Sequence, residues 1–175
     1  SGGTLVGETA ALGTGEACSY LRHESAPGVP EHFVFSTAPF AADIRGYGGP
    51  IVLAAHSLGC LAVAWWGALQ SQAYGWPVTG ALLVAPPDCD RMETPETIGG
   101  FGPVPRVPLP FPTIVVGSRN DPYIDFDRAH DLAAAWGARL VDLGPAGHVN
   151  VASGFGPWPA GRDLAGTLPG PAAAA

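Results

Sequence analysis

Ser57 lies in the run Leu53 to Ala62, "LAAHSLGCLA", where an apolar stretch is broken by His56 and Ser57 and closed by Gly59. A hydroxyl is a weak nucleophile at its ordinary pKa. A serine that attacks therefore needs a base within hydrogen-bond reach and an acid to orient that base. The pattern Ala55-His56-Ser57-Leu58-Gly59 is one residue from the G-x-S-x-G nucleophile elbow, with Ala at the first glycine. That strand-to-helix turn needs small residues on either side of the serine because neighbouring backbone passes close. It lifts the hydroxyl clear of a sheet and aims the backbone N–H of Leu58 at a developing oxyanion. The same residues also suit a serine that only caps a helix beginning near Leu58. The motif alone does not separate the two.

Asp121 and His148 separate them. Asp121 lies in "GSRNDPY", after the apolar run Thr113 to Val116, and His148 lies in "GPAGHVN", after the run Arg139 to Leu143. Serine, acid and histidine thus follow three strand ends in the chain order of hydrolase triads. Asp121 before Pro122 also suits a simple turn, and His148 a surface loop. The competing acids Asp125 and Asp127 read as helix-start residues. Among the other histidines, His23 and His32 precede the elbow, His130 falls inside a helix, and His56 should point elsewhere on the turn.

Parallel strands feeding helices must place these residues. Short apolar runs recur at Thr4–Val6 (weakly), His32–Ser36, Ile51–Ala55, Ala81–Ala85, Thr113–Val116 and Arg139–Leu143. From Ile51 onward the runs are continuous rather than alternating, as in parallel strands covered on both faces. Helical spacing fills Gly59–Gln70 and Phe126–Trp136, the second with Asp125 as N-cap, Asp127 in the first turn and Gly137 as stop. The order predicts an α/β fold: a mostly parallel sheet, helices on both faces, ligands beyond the carboxyl ends of the strands. Residues 86–112 are rich in Pro and Gly and show no period, the mark of a functional or disordered loop. Phe101, Phe111 and Met92 there are candidates to wall an acyl pocket, whereas Trp65 and Trp66 read as helix packing.

Composition excludes several chemistries. With 175 residues, 47% of them hydrophobic and 13% charged, the chain is expected to form a single domain with a real core. The net charge is −7 and all eight basic residues are Arg, which leaves no P-loop lysine, no lysine Schiff base and no basic surface for nucleic acid. Cys18, Cys60 and Cys89 lie far apart, so neither a disulfide framework nor a metal site is expected, and a reducing cytoplasm fits best. We expect no signal peptide, membrane span or cofactor. The tail from about residue 167 should fray.

"HSLGCLAVAWW", "VPLPFPTIVVGSRNDPY", "AWGARLVDLGPAGHVN" and "SGFGPWPAG" resemble the small single-domain serine hydrolases related to retinoblastoma-binding protein nine and the bacterial YdeN-type proteins. The resemblance covers about residues 49–165, with Asn120-Asp121-Pro122-Tyr123 and Gly147-His148-x-Asn150 followed by Ser153-Gly154 as its most specific parts. It implies an α/β-hydrolase fold without a large cap domain. It also implies Ser57 as nucleophile, His148 as base, Asp121 as orienting acid, and small esters or amides as substrates. Asn150 and Trp158 match the family's tail motif and read as loop-fixing. Residues 1–48 depart from the pattern: neither the opening strand with its Pro-Gly oxyanion loop nor the Trp-rich stretch is recognisable. This predicts a divergent or incomplete N-terminal third and an oxyanion hole short of a donor, a loss that typically costs about 100- to 1000-fold in turnover.

Two alternatives remain at this stage. One is a hydrolase-fold protein with an inert triad that acts by protein binding, although the sequence indicates no protein partner. The other is a serine aminopeptidase, which requires an acidic group placed to receive the substrate's free amine.

Overall fold

The computed structural model describes residues 10–11, 51–69, 78–91 and 102–168. Five strands form one sheet in sequence order: β1 (Ala10–Ala11), β2 (Ile51–His56), β3 (Val78–Val84), β4 (Thr113–Gly117) and β5 (Arg139–Asp142). β1 runs antiparallel to β2, and β2 to β5 are mutually parallel. The helices are α1 (Leu58–Leu69), α2 (Phe126–Ala135) and α3 (Pro159–Gly166), with a 3-10 turn at Val151–Ser153.

Side-chain alternation along the strands divides the core. Leu53, Ala55, Ala81, Leu83 and Val115 face α1 and α2, whereas Leu82, Val84, Ile114 and Val116 face α3. A parallel sheet that grows in one direction through right-handed crossovers puts its connecting helices on one face. α3 follows the last strand and is free to cover the other. The expected helices on both faces are therefore present. Only residues 85–112 separate β3 from β4, too short a connection for a large cap domain.

α1 is apolar almost all round and is buried along most of its length; Trp66 stacks on Phe111 with ring centroids 6.2 Å apart. The packing role expected for Trp66 is what it has. α2 is amphipathic, with Ala129, Leu132 and Ala133 inward. Asp125 does occupy its N-cap, but its side chain makes no cap hydrogen bond, so the helix starts without that contact. Gly137 ends the turn at φ +65°.

Three expectations are corrected. β5 is not buried on both faces: Arg139 and Asp142 are exposed, because among the described residues it pairs only with β4 and forms an edge. The described parts of residues 86–112 are packed rather than loose. Pro86 and Pro87 are fully buried, Trp136 Nε1 donates to the Pro105 carbonyl at 2.7 Å, and Leu109 N donates to the Trp136 carbonyl at 3.0 Å. Arg128 on α2 pairs with Asp88 at 3.1 Å and with Asp90 at 2.6 Å, fastening the same segment. Thr167 and Leu168, expected in a frayed tail, are placed; Leu168 is buried with Leu82 and Ile114 because the end of α3 folds back over the sheet. The expected runs Thr4–Val6 and His32–Ser36, the residues Cys18, Phe101 and Met92, and all of residues 1–48 other than β1 lie outside the described residues.

Candidate active site

β2 ends at His56 and α1 begins at Leu58, leaving Ser57 alone in the turn with φ +55°. Holding an L-residue in the left-handed region costs about 1–2 kcal/mol. The sheet sustains it: Ser57 N donates to the Val84 carbonyl at 2.9 Å, and the Ser57 carbonyl accepts from Cys60 N at 2.9 Å. Among the described residues the non-glycine positions with positive φ are Ser57, Ala85 and Val149, and all three sit at this end of the sheet. Strain of this kind collects where a site over-determines its backbone.

Asp121 follows β4 and His148 follows β5, and both are buried. His148 Nε2 lies 2.9 Å from Ser57 Oγ, and His148 Nδ1 lies 2.9 and 3.0 Å from the two carboxylate oxygens of Asp121. A carboxylate only accepts, so Nδ1 carries the proton and Nε2 is left to accept from the serine hydroxyl. Asp121 Oδ1 also accepts from Tyr123 N at 2.9 Å, so the turn contact and the bond to the imidazole coexist in one side chain. The competitors Asp125, Asp127 and His130 are exposed on α2. Ser57 Oγ, positioned like a helix cap, is engaged by the imidazole. A hydrogen-bonded Ser–His–Asp chain of this geometry can pass a proton from hydroxyl to imidazole and return it to a leaving group. Leu58 is the first residue of α1, so its N–H is one that the helix does not pair, and it borders the same cleft as Ser57.

The two loops are stapled together. Asn120 Oδ1 accepts from Ser118 Oγ at 3.0 Å and from Gly147 N at 2.7 Å, and Ser118 Oγ accepts from Ala146 N at 2.9 Å. Ser153 Oγ accepts from His148 N at 3.1 Å and donates to Asn150 Oδ1 at 2.9 Å. Asn150 is therefore loop-fixing, as expected. Arg119 bonds Asp142 at 2.6 and 2.8 Å, and Gly144 N donates to the same carboxylate at 2.7 Å. The guanidinium hydrogen bond, followed by that amide, holds the Asp142 carboxyl below its ordinary pKa.

The His56 ring turns to the loop after β5: its Nε2 donates to the His148 carbonyl at 2.8 Å, and the two rings lie 4.9 Å apart. Tyr123 meets the other side of His148 edge-on at 4.5 Å. The sequence reading missed the roles of Ser118, Asn120 and Ser153. The available signal for Ser118 and Asn120 was their position just beyond the end of β4, and for Ser153 its place three residues after Asn150.

A cleft of about 670 Å³ opens at Ser57. Ser57, Leu58 and His56 border it on one side, and Val149 to Val151, Phe155 and Trp158 on the other. Val84, Pro87, Tyr123, His148 and Gly156 also line it. Among the described residues of 86–112 only Pro87 lines the cleft, because Phe111 is spent on the core against Trp66. Trp158, read as loop-fixing, lines the cleft. Among the described residues no group of three or more His, Cys, Asp or Glu side chains could hold a metal ion, and no helix is long and apolar enough to cross a membrane.

Comparison with known proteins agrees with this architecture. The "Serine hydrolase" family model matches residues 37–166. A YdeN-like hydrolase from Pectobacterium atrosepticum is 32% identical, with 76% of this chain and 69% of that chain covered and a TM-score of 0.62. The ydeN gene product of B. subtilis is 22% identical, over 73% of this chain and 69% of that one, with a TM-score of 0.56. The esterase domain of a Rhodothermus marinus protein is 18% identical, over 73% and 66%, with a TM-score of 0.50. The last two are similar in fold. No curated protein matches the chain. With most of its length matched by one family model, this chain belongs to the serine hydrolase family, as a small YdeN-type α/β hydrolase.

Proposed function

We propose that the protein hydrolyses small carboxylic esters through an acyl-enzyme on Ser57, as a carboxylesterase-like enzyme of one domain. The observation that carries this reading is the continuous hydrogen-bonded chain from Asp121 through His148 to Ser57 Oγ at the floor of an open cleft. His148 Nε2 takes the hydroxyl proton as Oγ attacks the carbonyl carbon. The Leu58 N–H stabilises the tetrahedral oxyanion, and Asp121 stabilises the imidazolium that forms. His148 then gives the proton to the leaving oxygen, and the alcohol departs. Water adds to the acyl-enzyme by the same steps and releases the acid.

The aminopeptidase alternative needs a carboxylate aimed at the substrate's amine. Among the described residues lining the cleft there is none. A reducing cytoplasm suits Cys60 and Cys89, which are free and buried.

The test is a fluorophosphonate probe followed by mass spectrometry of the modified peptide. A single adduct on Ser57, absent in Ser57→Ala and accompanied by turnover of p-nitrophenyl acetate, is expected. Folded protein that takes up no probe at Ser57 would instead favour the inert, protein-binding reading.

A further inference from the structure

Trp158 occupies the N-cap of α3, and Pro159 follows at the first helical position, which sets the direction of the chain as it enters the helix. The indole folds back over Gly161. A Cβ built on that glycine would overlap Trp158 Cε3 and stand 2.6 and 2.7 Å from Cζ3 and Cδ2, so only glycine lets the ring lie there. Phe155 meets the indole edge-on, with centroids 6.0 Å apart and planes at 86°. Both rings also pack on the core beneath α3. The indole is therefore held on two sides before any ligand arrives, and it lines the cleft that opens at Ser57.

The chemistry of that cleft is one-sided. None of the described lining residues is Asp, Glu, Arg or Lys. A charged substituent would give up hydration there without gaining a counter-ion from the described lining. An alkyl or aryl substituent would exchange water for Val149, Val151 and the two rings.

We propose that the cleft selects uncharged esters bearing an apolar arm, and that Trp158, pinned by Gly161 and Phe155, determines how long an arm is accepted. This rests on the Ser57 ester hydrolysis proposed above. Because the indole is already fixed, little ordering cost is left to the substrate. Each methylene laid against the wall then raises kcat/KM about fourfold until the arm reaches the indole.

The experiment measures kcat/KM on two ester series, one varying the acyl group from acetyl to octanoyl on a common phenol, the other varying the alcohol on a common acetyl group. In one series the wild-type protein is expected to show the fourfold rise followed by a plateau, which identifies the arm that meets the wall. A succinyl ester should be at least tenfold poorer than the neutral ester of similar length. In Trp158→Ala the plateau should move to longer chains. In Gly161→Ala the new Cβ displaces the indole and the plateau should move as well. Trp158→Leu, which keeps apolar bulk under α3, supplies the same comparison if the alanine variant does not fold. The readout is the ratio of long to short esters, which does not depend on the fraction of active protein. The same length profile in wild type and both variants, or equal turnover of charged and neutral esters, would overturn the proposal while probe labelling of Ser57 stood. Loss of labelling in the wild type would remove the ester hydrolysis itself.

Discussion

Gly147→Ala is expected to damage the loop that carries His148 in a way that a second substitution reveals. Gly147 has φ +58°, and a Cβ there would overlap Ser153 Oγ and lie 2.8 Å from Ser153 Cβ. The left-handed backbone costs alanine about 1–2 kcal/mol. Moving Ser153 aside breaks the bonds from His148 N and to Asn150 Oδ1, each worth about 1 kcal/mol. The single variant should therefore lose about 3–4 kcal/mol. Ser153→Gly removes the same two hydrogen bonds and adds backbone freedom worth about 0.5–1 kcal/mol, a loss of about 3 kcal/mol. In the double variant the clash is relieved and the two hydrogen bonds are lost only once. Its cost should fall short of the sum of the singles by about 2 kcal/mol. Urea denaturation of the four proteins completes the cycle, and ester turnover of the same set reports on the imidazole. Additivity to within about 0.5 kcal/mol would refute the steric argument.

Asp121→Asn should lower kcat about 10⁴-fold with little change in stability, because the amide favours the wrong tautomer of His148; steady-state kinetics on p-nitrophenyl acetate measures it. Arg128→Ala removes the guanidinium from the buried Asp88 and the exposed Asp90 and should cost about 2 kcal/mol by urea denaturation, whereas a loss below about 0.5 kcal/mol would show that the pairs do not fasten the 86–112 segment. Cys60 and Cys89 should resist iodoacetamide at pH 8–9 in the folded protein: burial raises both thiols, and burial with the nearby Asp88 and Asp90 pushes Cys89 up to about 12, so thiolate appears only well above that range. Mass spectrometry showing either residue alkylated at the rate of a free thiol would contradict this.

Much of the fold was legible because period and composition carry local physics. β2, β3, β4, α1 and α2 lie within a few residues of the apolar runs that announced them. β5 was located correctly but misjudged in burial, because a strand's place at the edge is a property of the sheet and leaves no mark on four residues of its own. Residues 86–112 looked like a loop because Pro and Gly abolish period; their burial comes from Trp136 and Arg128, which lie outside the segment. β1 had no signal, since two alanines carry little β preference.

The hydrogen-bonded chain of Ser57, His148 and Asp121 follows from residue type and order. Serine between small residues, then an acid and a histidine after successive strand ends, leaves few other arrangements in a parallel sheet. His56 could not be read in the same way. Whether a residue beside Ser57 turns outward or crosses to His148 depends on where a loop 92 residues away returns. The wall of the cleft shows the same limit: Phe111 and Trp158 are alike in sequence as aromatic residues next to prolines. Their fates diverge because α1 offers Trp66 to one and α3 offers Gly161 to the other. The chain by itself determined which groups can react and in what order they meet the sheet, since those depend on side-chain chemistry and local period. Only the tertiary structure decided which neighbours hold them and what shape the substrate meets, because those depend on contacts between segments far apart in sequence.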